Sequence, residues 1–268
     1  MHKIILRPSG IASFYDCSYR WYRDTIYKPI RRVGIAAHIG TGIHKASEIY
    51  YKESIKNKDW AKYTKDLNSL AIDEFRKIVK EDEPIDIKEV DLNSLEKSID
   101  EGTTCYLSSA SKINKDIPID VEKTYEVKVK SNIIESVKGT LDIVGNNYIA
   151  DIKTMRQFKN AKHYVVQQSI YAFLRSKNKE VVEDLYIHRV NMSKYKSDCV
   201  SILQEYDNPC INIDILINKA KFYLEDVVKT CEDFFKTGNE RLFRGNPNSI
   251  LCSAKYCAYY NECKYRKE

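Results

Sequence analysis

The sequence predicts an α/β chain in which strands alternate with long helices, and three stretches carry that prediction. Gly139–Thr154 (GTLDIVGNNYIADIKT) sets two apolar runs about Asn146–Asn147, a pair that tolerates the positive φ of a two-residue hairpin turn. Val121–Lys130 alternates Val121, Tyr125, Val127 and Val129 against Glu122, Glu126, Lys128 and Lys130, the period of a strand. Asn212–Lys236 is amphipathic at helical spacing and runs to Gly238, a residue suited to a helix C-cap.

The hairpin fixes a register. With Gly145 and Tyr148 flanking the turn, residue 144 pairs with 149, 143 with 150 and 142 with 151. Asp142 then faces Asp151, and strand period two puts Lys153 on the same face. The other face receives Leu141, Ile143, Ala150 and Ile152, which suits a core. Facing carboxylates repel unless a cation sits between them. A hard dication such as Mg²⁺ or Mn²⁺ removes that repulsion, and Lys153 is placed to orient or help deprotonate a water that it holds. The plainer alternative is a solvated strand face on which Asp and Lys simply pair.

Gly139-x-x-Asp142 followed by Asp151-x-Lys153-Thr154 resembles the core of the PD-(D/E)XK nuclease superfamily, and the GTLD…DIKT form resembles its RecB-like branch. The resemblance implies a small mixed sheet flanked by helices, a restriction-endonuclease-like core. It also implies one nuclease domain over 1–268, with a helical insertion at about 57–115 and a cysteine-rich tail at about 245–268.

The other elements follow in order. Ser9 reads as the N-cap of a helix over about 10–25, whose Phe14, Tyr15, Tyr19, Trp21 and Tyr22 lie among Arg20 and Arg23. Aromatics between arginines can stack on bases, but an amphipathic helix burying its rings is the favoured reading. Cys17 lies inside this helix. Gly40-Thr-Gly-Ile-His44-Lys-Ala-Ser-Glu48 lies in a helix reaching about Lys56. It resembles the histidine motif of RecB-like nucleases, which makes His44 a third metal ligand beside Asp142 and Asp151. Glu48 shares a face with His44 and either orients it or is solvated, the second being the favoured reading; His38 fits the motif less well. Trp60–Lys80 and Asp91–Ile113 read as helices separated at Pro84, without chemistry of their own, and Cys105 as a buried thiol. On the 121–130 strand, Glu122 or Glu126 can approach the metal, the ordinary reading being a polar strand face.

Beyond the hairpin, Phe158–Ser176 reads as a helix with Gln167 and Tyr171 on one face. Gln-x-x-x-Tyr after the Asp-x-Lys strand resembles a further RecB-branch motif that lies beside the active site and contacts DNA. Val182–Val190 and Cys199–Gln204 read as strands, and Cys199, Cys210 and Cys231 as structural thiols. The tail carries Cys252-x4-Cys257-x5-Cys263. Three local cysteines are one ligand short of a zinc or four-iron site, and Cys17 can complete the set. A lone N-terminal cysteine with a C-terminal triplet resembles the iron–sulfur RecB-like nucleases: CRISPR-adaptation nucleases, the AddB helicase–nuclease subunit and phage exonucleases. Those often show Cys-Pro at the first ligand and a tighter triplet; this chain has Cys17-Ser18 and an x4 gap.

Composition bounds the rest. The chain of 268 residues is 43% hydrophobic, enough for a full core, and its net charge of +6 permits a nucleic-acid partner without establishing one. No 18-residue apolar run and no signal peptide are present, which leads to the expectation of a soluble, cytoplasmic protein. Eight cysteines then argue for metal ligands and buried thiols over disulfides. No Gly-x4-Gly-Lys-Ser/Thr loop occurs, so nothing suggests a helicase motor. The resemblance implies a Mg²⁺- or Mn²⁺-dependent deoxyribonuclease, exonucleolytic by preference, with a 4Fe–4S cluster. DNA would be its substrate, and a helicase or a recombination or adaptation protein its partner. The alternatives are a non-catalytic nucleic-acid-binding protein on a nuclease fold and a zinc-stabilised structural protein.

Overall fold

The computed structural model describes residues 3–27, 34–82, 91–157, 160–205, 211–254 and 256–266. The chain opens with β1 (Ile4–Leu6), α1 (Pro8–Asp16), α2 (Ser18–Tyr22) and a π-helical turn (Arg23–Tyr27). Four helices follow: α3 (Ile35–Asn57), α4 (Asp66–Glu81), α5 (Leu92–Ser108) and α6 (Ala110–Ile113). Then come β2 (Asp120–Lys128), β3 (Ile134–Val144), β4 (Tyr148–Met155), α7 (Val165–Lys177), β5 (Asp184–Asn191) and β6 (Lys196–Ser201). A short α8 (Ile202–Glu205) and the long α9 (Ile213–Thr237) lead into an irregular tail.

The strands form one mixed sheet in the order β1-β3-β4-β5-β6, with β2 on the far edge of β3. β4 and β5 run parallel along their whole length, joined by α7, while β2–β3, β3–β4 and β5–β6 are antiparallel. The sheet separates two cores. On one side α1, α2, α7 and α9 cover Leu6, Val137, Leu141, Val144, Ile149, Leu185 and Ile187. On the other, α3, α4, α5 and α6 cover Val121, Ile143, Ala150, Ile152 and Val190. This is the expected small mixed sheet flanked by helices.

The hairpin register is as the sequence predicts at Ile143↔Ala150 and Val144↔Ile149, but the ladder stops there and does not reach 142 and 151. Leu141 therefore differs from expectation: it is buried in the core under α7, while Ile143, Ala150 and Ile152 lie in the other core. The strand changes phase at Asp142. Opposite it, Glu122 adopts a left-handed φ of 49°, and the β2–β3 pairs skip from Val121↔Ile143 to Lys123↔Leu141.

Other boundaries move for local reasons. The helix expected over 10–25 breaks at Cys17, which is extended (φ −154°, ψ 95°), and Arg7 rather than Ser9 precedes α1, with Pro8 in its first turn. The break lets the Ser18 hydroxyl accept the Arg244 N–H at 2.7 Å, and the Tyr19 N–H donate to the Arg244 carbonyl at 3.0 Å. Most of the N-terminal rings are core, as favoured: Phe14, Tyr19, Trp21 and Tyr22 are buried, while Tyr15 is exposed. Residues 161–164 form a 3-10 turn before α7 starts at Val165. The strand expected at 199–204 is instead β6 from Lys196 to Ser201, running into α8. α9 begins after Asn212, whose side chain accepts the Ile215 N–H, and ends at Gly238 with φ 67°, as read. Pro84 and Cys210 lie outside the described residues. No described helix is long and apolar enough to cross a membrane.

Candidate active site

The site occupies a gap that the sheet leaves open. One edge of β3 pairs with β2; the other pairs with β1 at Ile134–Val137 and with β4 only at Ile143–Val144. Between those pairings no strand among the described residues lies beside that edge of β3. Gly139 lies on this stretch because a Cβ there would come 2.7 Å from Pro8 and 2.9 Å from Tyr171, so α1 and α7 can close on the strand only over a glycine.

At the far end of the gap two side chains replace the missing ladder. Asp142 Oδ2 accepts the Ile152 N–H at 2.7 Å, and His44 Nε2 lies 3.0 Å from the Ile152 carbonyl. A carbonyl can only accept, so Nε2 carries the hydrogen. Nδ1 is left facing the acids, 3.6 Å from Asp142 Oδ1 and 4.0 Å from Glu122 Oε1. A ring nitrogen anchored by its partner's N–H to a backbone carbonyl is a common arrangement for a metal-binding histidine. His44, Glu122 and Asp142 each offer a ligand atom, and these atoms all lie within 4.8 Å of one another.

Asp151 and Lys153 stand beside this group. Asp151 is 2% exposed, and Lys153 Nζ lies 2.6 Å from its Oδ2. From α7, Gln167 Nε2 reaches Asp151 Oδ1 at 3.5 Å and the Tyr171 hydroxyl at 3.1 Å. His44, Glu122, Lys153 and Gln167 line one open cleft together with Ser9 and Gly40.

The electrostatics are those of crowded acids. Burial and then the Asp142 charge push Glu122 up to about 7. Burial likewise raises Asp151, with Asp142 adding to it against the pull of Lys153. Burial would raise Asp142 too, but the His44 charge and hydrogen bond, Lys153 and the Ile152 N–H outweigh it and hold it below the usual range. Burial would lower His44, yet Asp142 and Asp151 raise it to about 9. Burial would lower Lys153, and the same two carboxylates raise it. Lys153 is thus held as a cation. Three carboxyl groups, partly or wholly buried at the wall of one open cleft and competing for positive charge, suit a dication, which displaces the proton from its ligands.

The remaining predicted residues fall as follows. Glu48 lines the same cleft but is not simply solvated: Lys45 at 2.8 Å and Lys52 at 2.5 Å hold it. His38 is buried with Nε2 2.7 Å from the Asp82 carbonyl. Glu126 is exposed and pairs with Lys128 at 3.3 Å, away from the gap. Of the two glutamates open in the sequence, Glu122 is therefore the one at the site. Cys105 is partly buried against Ser197, and burial pushes the Cys199 and Cys231 thiols up to about 12. Cys17, Cys252, Cys257 and Cys263 line one cavity between α2 and the tail, although no three of their sulfurs lie within 4.8 Å of one another. Sequence reasoning missed Arg175, which continues the Gln167–Tyr171 spacing by four. It is 1% exposed and donates to the carbonyls of Gly145 (2.8 Å), Asn146 (2.8 Å) and Tyr148 (2.6 Å), locking the hairpin turn.

Among solved structures, one described as the crystal structure of SSO0001 is 15% identical and covers 83% of this chain and 98% of its own, with a TM-score of 0.35. That likeness is too loose to add to the argument. No curated protein matches. The model of the PD-(D/E)XK nuclease superfamily matches residues 6–264, nearly the whole chain, and with Asp142, Asp151 and Lys153 gathered at the strand gap the chain belongs to that superfamily.

Proposed function

We propose that the chain is a metal-dependent deoxyribonuclease of the RecB-like kind, acting at DNA ends. The observation that carries this reading is the convergence of His44, Glu122 and Asp142 beside the Asp151–Lys153 pair in an open cleft. A Mg²⁺ or Mn²⁺ ion held there would supply Lewis-acid activation of water and positive charge for the phosphate. His44 Nδ1 and the Glu122, Asp142 and Asp151 carboxylates would be its ligands. Lys153, buried and cationic, stabilises charge that develops on the scissile phosphate. Gln167 orients the Asp151 carboxylate, and Tyr171 orients Gln167.

A 4Fe–4S cluster on Cys17, Cys252, Cys257 and Cys263 belongs to the same reading. Four thiols around one cavity in a protein without disulfides among its described residues support a metal ligand set. A single zinc would draw its sulfurs to about 3.8 Å apart, the edge of a tetrahedron with bonds of about 2.3 Å. No three of these sulfurs lie within 4.8 Å of one another, and metal analysis decides between the cluster and one zinc.

The test is cleavage of linear and covalently closed DNA with Mg²⁺, Mn²⁺ or Ca²⁺. The linear substrate should be degraded with the first two ions and spared with Ca²⁺, whose coordination is larger and looser. Asp151→Asn and Lys153→Ala should each lose cleavage by at least about a hundredfold while still binding DNA, because most phosphate contacts lie elsewhere. Full cleavage by both variants would sink the assignment, and equal degradation of closed circles would sink the preference for ends.

A further inference from the structure

The face of α7 that meets the site begins one turn before the helix itself. Tyr164 ends the 3-10 turn Ala161–Tyr164. Gln167 stands three residues on and Tyr171 four beyond it, so the three share one face. Gln167 and Tyr171 serve Asp151, as described above. Tyr164 meets the next residue on the same face of β4: the Lys153 ammonium lies over its ring, 5.5 Å from the centroid. The ring is half-buried and packs against the core beneath α1, α7 and α9, so its place is fixed by packing.

The surroundings of Lys153 make that ring matter. Its Nζ lies 2.6 Å from Asp151 Oδ2, and its side chain is 24% exposed. Parallel pairing sets Arg189 beside it on β5, a second cation on the same sheet face. Arg189 is drawn away by Asp198, through two contacts of 2.7 Å, and by Glu205 at 3.5 Å. Among the described residues, the direct partners of the Lys153 ammonium are Asp151 and the Tyr164 ring. A dication taken up by Asp151 would compete with Lys153 for that carboxylate. A largely buried ammonium that loses its counter-charge is costly. An aromatic face attracts a cation within about 6 Å and offers the metal no competing ligand.

We propose that Tyr164 is a positioning residue for Lys153: its ring face seats the ammonium, so the cation stays directed at the cleft when a metal draws on Asp151. The consequence for cleavage rests on the nuclease reading; the contact does not.

The test compares wild type with Tyr164→Leu, which removes the ring, and Tyr164→Phe, which keeps it. Should Tyr164→Leu not fold, Tyr164→Met is read in its place. Lys153 reactivity is read first. The full chain in excess chelator is treated with limiting acetic anhydride, and each lysine is followed by mass spectrometry. Lys153 should acetylate at least about fivefold faster in Tyr164→Leu than in the other two, the worth of one desolvated cation–ring contact. Exposed Lys112 serves as the unchanged reference. Cleavage of linear DNA is read second. Tyr164→Leu should lower kcat at least about fivefold with KM unchanged, and Tyr164→Phe should stay within about twofold of wild type. In a Lys153→Ala background, Tyr164→Leu should cost nothing further.

Equal Lys153 reactivity in wild type and Tyr164→Leu would overturn the seat. An unchanged kcat in Tyr164→Leu would overturn its use in cleavage. So would the same loss on the Lys153→Ala background, since the ring would then act without the lysine. Equal losses in Tyr164→Phe and Tyr164→Leu would move the effect to the hydroxyl and overturn the role of the ring. Wild type that cleaves no DNA, while Lys153 reactivity still follows the ring, would uphold the seat and fault the nuclease reading alone.

Discussion

At the scale of single residues, Asp142 has two duties that conflict in an ordinary strand. One oxygen takes the place of a ladder acceptor for Ile152, and the other faces His44. Both become possible because the β3–β4 ladder ends one pair earlier. The turn that ends that ladder is held by Arg175, whose planar fork spans three carbonyls while Glu180 accepts from its Nε at 3.2 Å. Arg175→Met should remove the guanidinium donors from the Gly145 and Asn146 carbonyls, leave the Tyr148 carbonyl only the Gly145 N–H at 2.9 Å, and destabilise the fold by about 3 kcal/mol. Arg175→Lys should recover less than half of that, since an ammonium cannot reproduce the fork. Urea unfolding of the three proteins measures this, and equal midpoints would show that the turn holds without the guanidinium.

At the scale of elements, what was legible followed from local rules. The Asn146–Asn147 turn fixes the register, so Ile143↔Ala150 and Val144↔Ile149 could be read from the sequence. Helix α9 could be read from its caps at Asn212 and Gly238. Long-range contacts decided the rest. Leu141 moved to the other core because β3 changes phase at Asp142, which alternation alone does not show. Glu122 and Glu126 share a strand face in sequence. Only the β2–β3 register, with Glu122 turned left-handed opposite Asp142, separates a ligand candidate from a surface ion pair. β1 is three residues long, too short to carry a period, and forms only because β3 offers it an edge. The break at Cys17 answers to the tail, more than 200 residues away, through the Ser18 and Tyr19 bonds to Arg244. The Asp142–Lys153 strand pair could be read from the hairpin register, whereas Cys17, His44 and the Gln167–Tyr171 face were named only through the resemblance to RecB-like nucleases. Arg175 was not, although it repeats the same interval once more.

At the scale of the whole molecule, the two ends of the chain meet on the side of the sheet covered by α1, α2 and α9. The Asn246 amide donates to the Asp16 carbonyl at 2.9 Å, and the Ser249 hydroxyl to the Asp16 carboxylate at 2.8 Å. The Tyr22 hydroxyl reaches Glu240 at 2.9 Å. The four cysteines line the cavity at this junction. A cluster there would close a loop from residue 17 to residue 252, and long loops are where a clip stabilises most in principle. Anaerobically purified protein should be brown and hold about four irons per chain. Cys17→Ser should bleach it and lower the thermal midpoint by several degrees. Colourless protein with one zinc per chain would reject the cluster, and full iron in Cys17→Ser would name another fourth ligand.

The central claim is that the strand gap is a dication site made by His44, Glu122, Asp142 and Asp151, with Lys153 beside it. Mn²⁺ titration followed by the loss of the free-ion paramagnetic resonance signal tests it directly, using wild type, Glu122→Gln and Glu126→Gln. Wild type and Glu126→Gln should bind Mn²⁺ alike, and Glu122→Gln at least about tenfold more weakly, the usual cost of disturbing a metal ligand set. Equal binding by wild type and Glu122→Gln, or no bound Mn²⁺ in any of the three, would contradict the account.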